Sequence, residues 1–340
     1  MHKATLYLKK PNNSVQCQAC SHYCLIAPGK TGICGVRQNT RGDLYLLVYG
    51  QPIVVNTDPI EKKPLYHFLP NTKIFSLGTV GCNFRCLFCQ NWDISQTLKH
   101  KNIKTLKQRG GKNLLPEQIV DYCLENHIPS IAYTYNEPAI FFEYAYDIAK
   151  LARAAGLKNV FVSNGYESKE ALLKIKNYLD AINIDLKSFS DEFYQKICGA
   201  RLQPVLENIK RAVDLGIQLE VATLVIPGRN DQIGELKQIA EFLISIDKNI
   251  PWHISRFYPN YKMSDIPPTP LDKLAKTYNI GKKAGLYYVY VGNVISDNLE
   301  NTYCPKCGET VIERKGYEVK VNLLSGSCKK CGEKIEGVWS

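Results

Sequence analysis

The sequence predicts an α/β fold: a partial or near-complete parallel (β/α) barrel with a small cysteine-rich, metal-binding segment at each end. Two observations lead there. Seven short apolar runs, mostly β-branched or aromatic, alternate with helical stretches between Ile74 and Val294. Eleven of the thirteen cysteines fall into three clusters, before, inside and after that region. Strand and helix in alternation mean βαβ units and a parallel sheet, and such a barrel keeps its functional residues at the C-terminal ends of its strands.

Taken in order, residues 1–70 form an N-terminal segment containing Cys17, Cys20, Cys24 and Cys34, with His22 among them. The barrel is expected over 71–296. Its strands read IFSLGT (74–79), SIAYTY (130–135), NVFVSN (159–164), AINIDL (181–186), LEVATLVI (219–226), WHISRFY (252–258) and YYVYVG (287–292). Nearly continuous hydrophobicity is what strands covered on both faces require. Between them, LLPEQIVDYCLENH opens with a proline suited to a first helical turn. EPAIFFEYAYDIAKLARAAG closes on Gly156 after a basic last turn, and PVLENIKRAVDLG runs from a proline to Gly216. Residues 297–340 hold CPKC and CKKC, twenty residues apart, and read as a separate small metal module.

Composition narrows the function classes. With 340 residues, 45% hydrophobic and 22% charged, the chain can bury a full core as an ordinary globular protein. No apolar run nears the roughly 20 residues a membrane span needs, and no signal-peptide core follows the first lysines. A cytoplasmic location without a membrane partner is therefore expected. The formal charge of +11 raises the question of nucleic acid. Its densest stretch, KHKNIKTLKQRGGK from Lys99 to Lys112, lacks aromatics for base stacking and reads as a solvated loop. Clustered cysteines in such a protein favour metal binding or catalysis over disulfides, whereas the isolated Cys123 and Cys198 read as small core hydrophobes.

The loop TVGCNFRCLFCQN, from Thr79 to Asn91, spaces Cys82, Cys86 and Cys89 as C-x3-C-x2-C directly after the first strand. Three thiolates on one loop ligate three irons of a [4Fe–4S] cubane and leave the fourth iron open, as catalytic metal sites keep a position open. Gly81 lets the backbone leave the strand sharply, and Phe84 and Phe88 stand where they can shield the cluster. A zinc knuckle or three buried thiols are the bland alternatives. Zinc would want a fourth ligand, and His100 lies eleven residues on, inside the lysine-rich loop.

With its flanks, TVGCNFRCLFCQNWDISQ, the motif resembles the radical S-adenosylmethionine (radical SAM) superfamily and, within it, the glycyl-radical activating-enzyme branch. It is most similar to the AmmeMemoRadiSam system radical SAM enzymes. The likeness covers nearly the whole chain, including CQACSHYCLIAPGKTGICGVRQN, TYNEPAIF, DLKSF and PWHISRFYPNYKM. It implies an enzyme in which a reduced cluster cleaves S-adenosylmethionine to methionine and a 5′-deoxyadenosyl radical. That radical takes hydrogen from a substrate carbon, a protein or peptide being one candidate substrate.

The resemblance also implies site residues. Tyr135-Asn136-Glu137 stands where the superfamily has Gly-Gly-Glu, which gives Asn136 and Glu137 the amino group of the cofactor; Glu137 is equally suited to capping the next helix. Ser163 and Asn164 close the third strand. Asp185 and Lys187, two residues apart and so on one face of the fourth, resemble a pair that contacts the ribose and carboxylate, with a structural ion pair as the alternative. Val225-Ile-Pro-Gly228 resembles the adenine-side loop. His253 and Arg256 resemble further active-site positions, a satisfied structural histidine being the alternative for the first.

Cys304, Cys307, Cys328 and Cys331 have zinc-ribbon spacing and can close a tetrahedral S4 site, with zinc expected and rubredoxin-like iron the alternative. Cys17, Cys20, Cys24 and Cys34 suit zinc or a second iron–sulfur cluster equally well. Expected partners are a one-electron donor of ferredoxin or flavodoxin type and, from the resemblance, Memo-like and AMMECR-type proteins. Two readings compete with the enzyme: an iron–sulfur electron-transfer or metal-binding scaffold without cofactor turnover, and a zinc-ribbon nucleic-acid binder.

Overall fold

The structure, a computed structural model, describes residues 1–99, 113–294 and 298–340. The basic run beyond Lys99, His100 within it and the segment boundary at 296 lie outside the described residues. Among those described, no helix is long and apolar enough to cross a membrane.

Eight strands form the central sheet: β1 (Val54–Pro59), β2 (Lys73–Gly78), β3 (Ser130–Tyr133), β4 (Lys158–Ser163), β5 (Ala181–Asp185), β6 (Gln218–Val225), β7 (Trp252–Arg256) and β8 (Val289–Gly292). Their order in the sheet is their order in the chain. The β2–β3, β3–β4, β6–β7 and β7–β8 ladders are parallel, as repeated βαβ crossovers require. All seven expected strands are present. The eighth, β1, was not anticipated, because three of its six residues are exposed and no apolar run marks it.

Six helices alternate with these strands: α1 (Pro116–Glu125), α2 (Phe142–Ala154), α3 (Lys169–Ile175), α4 (Leu202–Asp214), α5 (Ile233–Ile246) and α6 (Leu271–Ala284). Pro116 opens α1 as expected. Helix α4, by contrast, begins two residues before Pro204, which takes the third helical position, where its missing N–H would have been unpaired anyway. Gly156 and Gly216 follow α2 and α4 with φ of 80° and 70°.

The chain divides into two compact units, residues 1–58, 74–181 and 198–200 in one, and 59–73, 182–197 and 201–340 in the other. The first carries two small antiparallel sheets made from the N-terminal segment, His2–Lys3 with Asp43–Leu46 and Arg37–Thr40, and Tyr7–Lys9 with Val15–Cys17 and Leu25–Ile26. Arg37 fastens that segment to α2. Its two terminal nitrogens donate to the two Glu143 oxygens at 2.8 Å each, and the Thr5 amide donates to Glu143 at 2.8 Å. Burial alone would push the Glu143 carboxyl up, but the guanidinium beside it brings it down to about 2.

In the second unit, Glu220 on β6 is fully buried and accepts from the amides of Tyr66 and His67 at 3.0 and 2.7 Å. Three short strands, Thr302–Tyr303, Thr310–Lys315 and Glu318–Val321, form an antiparallel sheet from which Arg314 reaches the Tyr66 carbonyl at 2.8 Å. Helix α6 lies close against β7 and β8 at Gly281. A Cβ there would sit 2.9 Å from Val289 and 3.0 Å from Trp252.

Candidate functional site

The cysteine loop leaves β2 through Gly81, whose φ is +94° and whose absent Cβ would meet the Cys34 carbonyl at 2.6 Å. Only glycine satisfies both conditions. Cys82 and Cys86 are buried and Cys89 is half-buried, while Phe84 and Phe88 pack beside them in the core. Local donors already point at sulfur: the Phe84 amide donates to Cys82 Sγ at 3.4 Å, and Cys89 Sγ lies 3.1 Å from Ser95 Oγ. Burial pushes the Cys82 thiol well up, reinforced by the negative charge of Glu137 and of its sister sulfurs. Metal is what turns such thiols into thiolates.

Asn136 holds this loop. Its side-chain amide donates to the Gly81 carbonyl at 2.9 Å and to Thr79 Oγ1 at 3.2 Å, and its oxygen accepts from the Thr79 amide at 3.3 Å. The residue expected beside Glu137 at the amino group therefore spends both of its donor hydrogens on positioning the cysteines.

Glu137 is fully buried. It accepts from the Ala139 amide at 3.0 Å, capping the turn as the simpler reading expected, and also from Ser163 Oγ at 3.1 Å and the Asn164 amide at 2.9 Å. Among the described residues no cation pairs with it. Burial and the neighbouring Glu167 carboxyl push its pKa well up. The Asn164 side chain donates to Asn83 Oδ1 at 2.8 Å, tying the end of β4 to the cysteine loop. Asn83, itself fully buried, keeps an Nδ2 with no hydrogen-bond partner.

These groups match the needs of a zwitterionic cofactor. A buried carboxylate without a cation suits an ammonium, an unspent amide donor suits a carboxylate, and three thiols on one loop suit a cubane. The residues present thus fit the [4Fe–4S] cluster and S-adenosylmethionine. Asn83 was missed by the sequence reading although it lies inside the motif, because its partner Asn164 is 81 residues away.

In the other unit Asp185 and Lys187 form an ion pair at 2.7 Å, with Asp185 43% exposed. His253 Nε2 lies 2.6 Å from Glu220 Oε2 and the ring is 4% exposed, so this histidine is committed to a buried carboxylate. Arg256 donates to the Thr269 carbonyl at 2.9 Å. The four C-terminal cysteines converge: Cys304 and Cys331 sulfurs lie 3.6 Å apart, Cys307 and Cys328 sulfurs 3.7 Å. A tetrahedral ion with bonds of about 2.3 Å sets its sulfurs about 3.8 Å apart. Matching amides of Gly308 and Gly332 close the two turns onto Cys304 and Cys328.

Comparison with known proteins agrees with this geometry. A family model described as the radical SAM superfamily matches residues 76–243. An uncharacterised protein of Methanocaldococcus jannaschii is 43% identical over 99% of each chain. A GTP 3′,8-cyclase of Nautilia profundicola is 25% identical, covering 76% of this chain and 87% of its own. A pyruvate formate-lyase-activating enzyme of Clostridium pasteurianum is 23% identical over 58% of this chain and 84% of its own. The chain belongs to the radical SAM superfamily. Homologues named as pyruvate formate-lyase-activating enzymes stand among its relatives, and the family implies S-adenosylmethionine and an iron–sulfur cluster.

Proposed function

We propose that this chain is an activating-enzyme-like radical SAM enzyme that acts on a protein or peptide, with the cluster on Cys82, Cys86 and Cys89. Those three thiolates would hold the cluster, which when bound would supply the one-electron reducing chemistry that cleaves S-adenosylmethionine. The protein supplies the rest. Glu137 receives the ammonium, Ser163 and Asn164 hold that carboxylate, Asn83 offers its amide to the cofactor's carboxylate, and Asn136 keeps the loop in register. Asp185 and Lys187 are assigned to ribose and carboxylate on resemblance, and zinc is proposed for the C-terminal four thiols. A ferredoxin- or flavodoxin-type protein is the proposed donor, and Memo-like and AMMECR-type proteins are the proposed partners.

The observation that carries this reading is the buried Glu137 carboxylate, without a cation, joined through Asn164 and Asn83 to the cysteine loop. Electron paramagnetic resonance on anaerobically reconstituted, dithionite-reduced protein tests it. The reading expects a [4Fe–4S]⁺ signal that changes on addition of S-adenosylmethionine and is lost in Cys86→Ala. An unchanged signal would instead favour a cluster protein without a cofactor site.

A further inference from the structure

Tyr135 sits at φ +67°, a conformation that glycine adopts freely and a bulky side chain does not. It is the centre of a three-residue turn, closed by the Asn136 amide, which donates to the Thr134 carbonyl at 2.8 Å. Such a turn at positive φ is rare and strained. Strain of this kind persists only where the surroundings enforce it, and it gathers at functional sites.

Hydrogen bonds from two directions enforce it here. The phenol donates to Asp58 Oδ2 at 2.8 Å and accepts from Asn56 Nδ2 at 3.0 Å, both residues of β1. The Tyr135 carbonyl accepts from Asn91 Nδ2 at 2.7 Å. Gly78 makes room, since a Cβ there would meet the Thr134 carbonyl at 2.6 Å and Tyr135 Cβ at 3.0 Å. The edge strand that no apolar run announced is the anchor of this turn.

Asn91 connects the turn to sulfur. It precedes the helical turn Trp92–Ser95, and its own carbonyl accepts from the Ser95 amide at 2.9 Å. Ser95 Oγ accepts from Gln96 Nε2 at 3.0 Å and lies 3.1 Å from Cys89 Sγ. A metal-bound Cys89 thiolate can only accept, so there the hydroxyl donates. Hydrogen bonds to sulfur help to set the potential of an iron–sulfur cluster. The cysteine loop is thus held at both ends by neighbouring residues, at Thr79 and Gly81 by Asn136 and at Asn91 by Tyr135.

We propose that Tyr135 is a positioning residue for this site. Anchored to Asp58 on β1, it fixes Asn91 through its carbonyl and so sets Ser95 against Cys89. The inference rests on the reading that Cys82, Cys86 and Cys89 hold a cluster, and its test separates the two.

The first measurement needs no iron. Hydrogen exchange is followed by mass spectrometry on the full metal-free chain, in wild type and in Tyr135→Phe, which keeps the ring and loses only the hydroxyl. Amides between Cys89 and Gln96 should exchange roughly 3- to 10-fold faster in the variant, as loss of one hydrogen bond implies, while those of β4 hold. Asp58→Ala should match it, and Asp58→Asn, which still offers an oxygen, should recover most of the protection. Adding Tyr135→Phe to Asn91→Ala should give no further increase, because the two act through one bond. Equal exchange in wild type and Tyr135→Phe would overturn the proposal. The second measurement is a redox titration of the anaerobically reconstituted protein, read by electron paramagnetic resonance. The midpoint potential should fall in Tyr135→Phe as the Ser95 hydrogen bond weakens, and an unchanged potential reduces Tyr135 to a structural residue and overturns its positioning role. A wild-type chain that takes up no cluster would sink the functional reading instead, and the exchange result alone then decides whether Tyr135 fixes the loop.

Discussion

Glu137 and Glu143 are both fully sequestered carboxyls, and they are opposites. Glu143 has Arg37; Glu137 has only neutral donors. Replacing Glu137 by Gln keeps an acceptor for one of the two backbone amides, Ala139 or Asn164, and turns a donor toward the other, so the thermal midpoint should fall by a few degrees. The affinity for S-adenosylmethionine should fall by roughly 10- to 100-fold, the worth of a charge-assisted hydrogen bond. Calorimetric titration of reconstituted protein measures this, and unchanged affinity would take the ammonium away from Glu137. The Glu143 prediction concerns pH. Its folded pKa, about 2, lies below the ordinary 4.5, so its stabilisation is complete above about 4.5 and drains as pH falls toward 2. Urea unfolding of wild type and Glu143→Gln should show a gap of roughly 3 kcal/mol near neutrality that narrows in acid. A gap independent of pH would mean that the pair is not what separates them.

At the scale of elements, α6 packs closely on β7 and β8 at Gly281. Gly281→Ala places a methyl group under 3.1 Å from Trp252 and Val289, both on strands that cannot yield cheaply. Overpacking of this sort should cost about 1–3 kcal/mol, visible as a lower denaturant midpoint with an unchanged slope. Wild-type stability in that variant would show that the helix can shift outward. The same elements explain what a sequence reveals. The seven expected strands were legible because burial makes them rich in apolar, β-branched and aromatic residues; all four residues of SIAY in β3 are buried. The small N-terminal sheets were not, because strands such as HK, YLK and RQNT are short and largely polar and carry no apolar run to read.

For the molecule as a whole, the thiol spacing was legible because metal ligation is written in short intervals. What surrounds the thiols was not: His22 meets Asn83 across 61 positions, and His253 finds Glu220 across 33. Pairings of that range depend on the folded strand order, which no local pattern encodes. The formal charge of +11 does speak at this scale. Reduction by an acidic ferredoxin- or flavodoxin-type donor should slow several-fold between about 0.05 and 0.5 M salt, because steering is screened over about a Debye length. A stopped-flow rate indifferent to salt would argue that charge does not guide that encounter.

Gly81 carries one consequence for how this protein can be cut. The stretch that resembles its superfamily spans 76–243, and a minimal version of the chain would naturally be trimmed to it. Such trimming discards the Cys34 carbonyl that backs Gly81, the Arg37 that neutralises Glu143, and the His67 amide that Glu220 accepts. It would leave two buried carboxylates stripped of partners and a cysteine loop with no back wall. Shared ancestry and mechanical integrity draw different borders on this chain, and an iron-holding fragment has to respect the second.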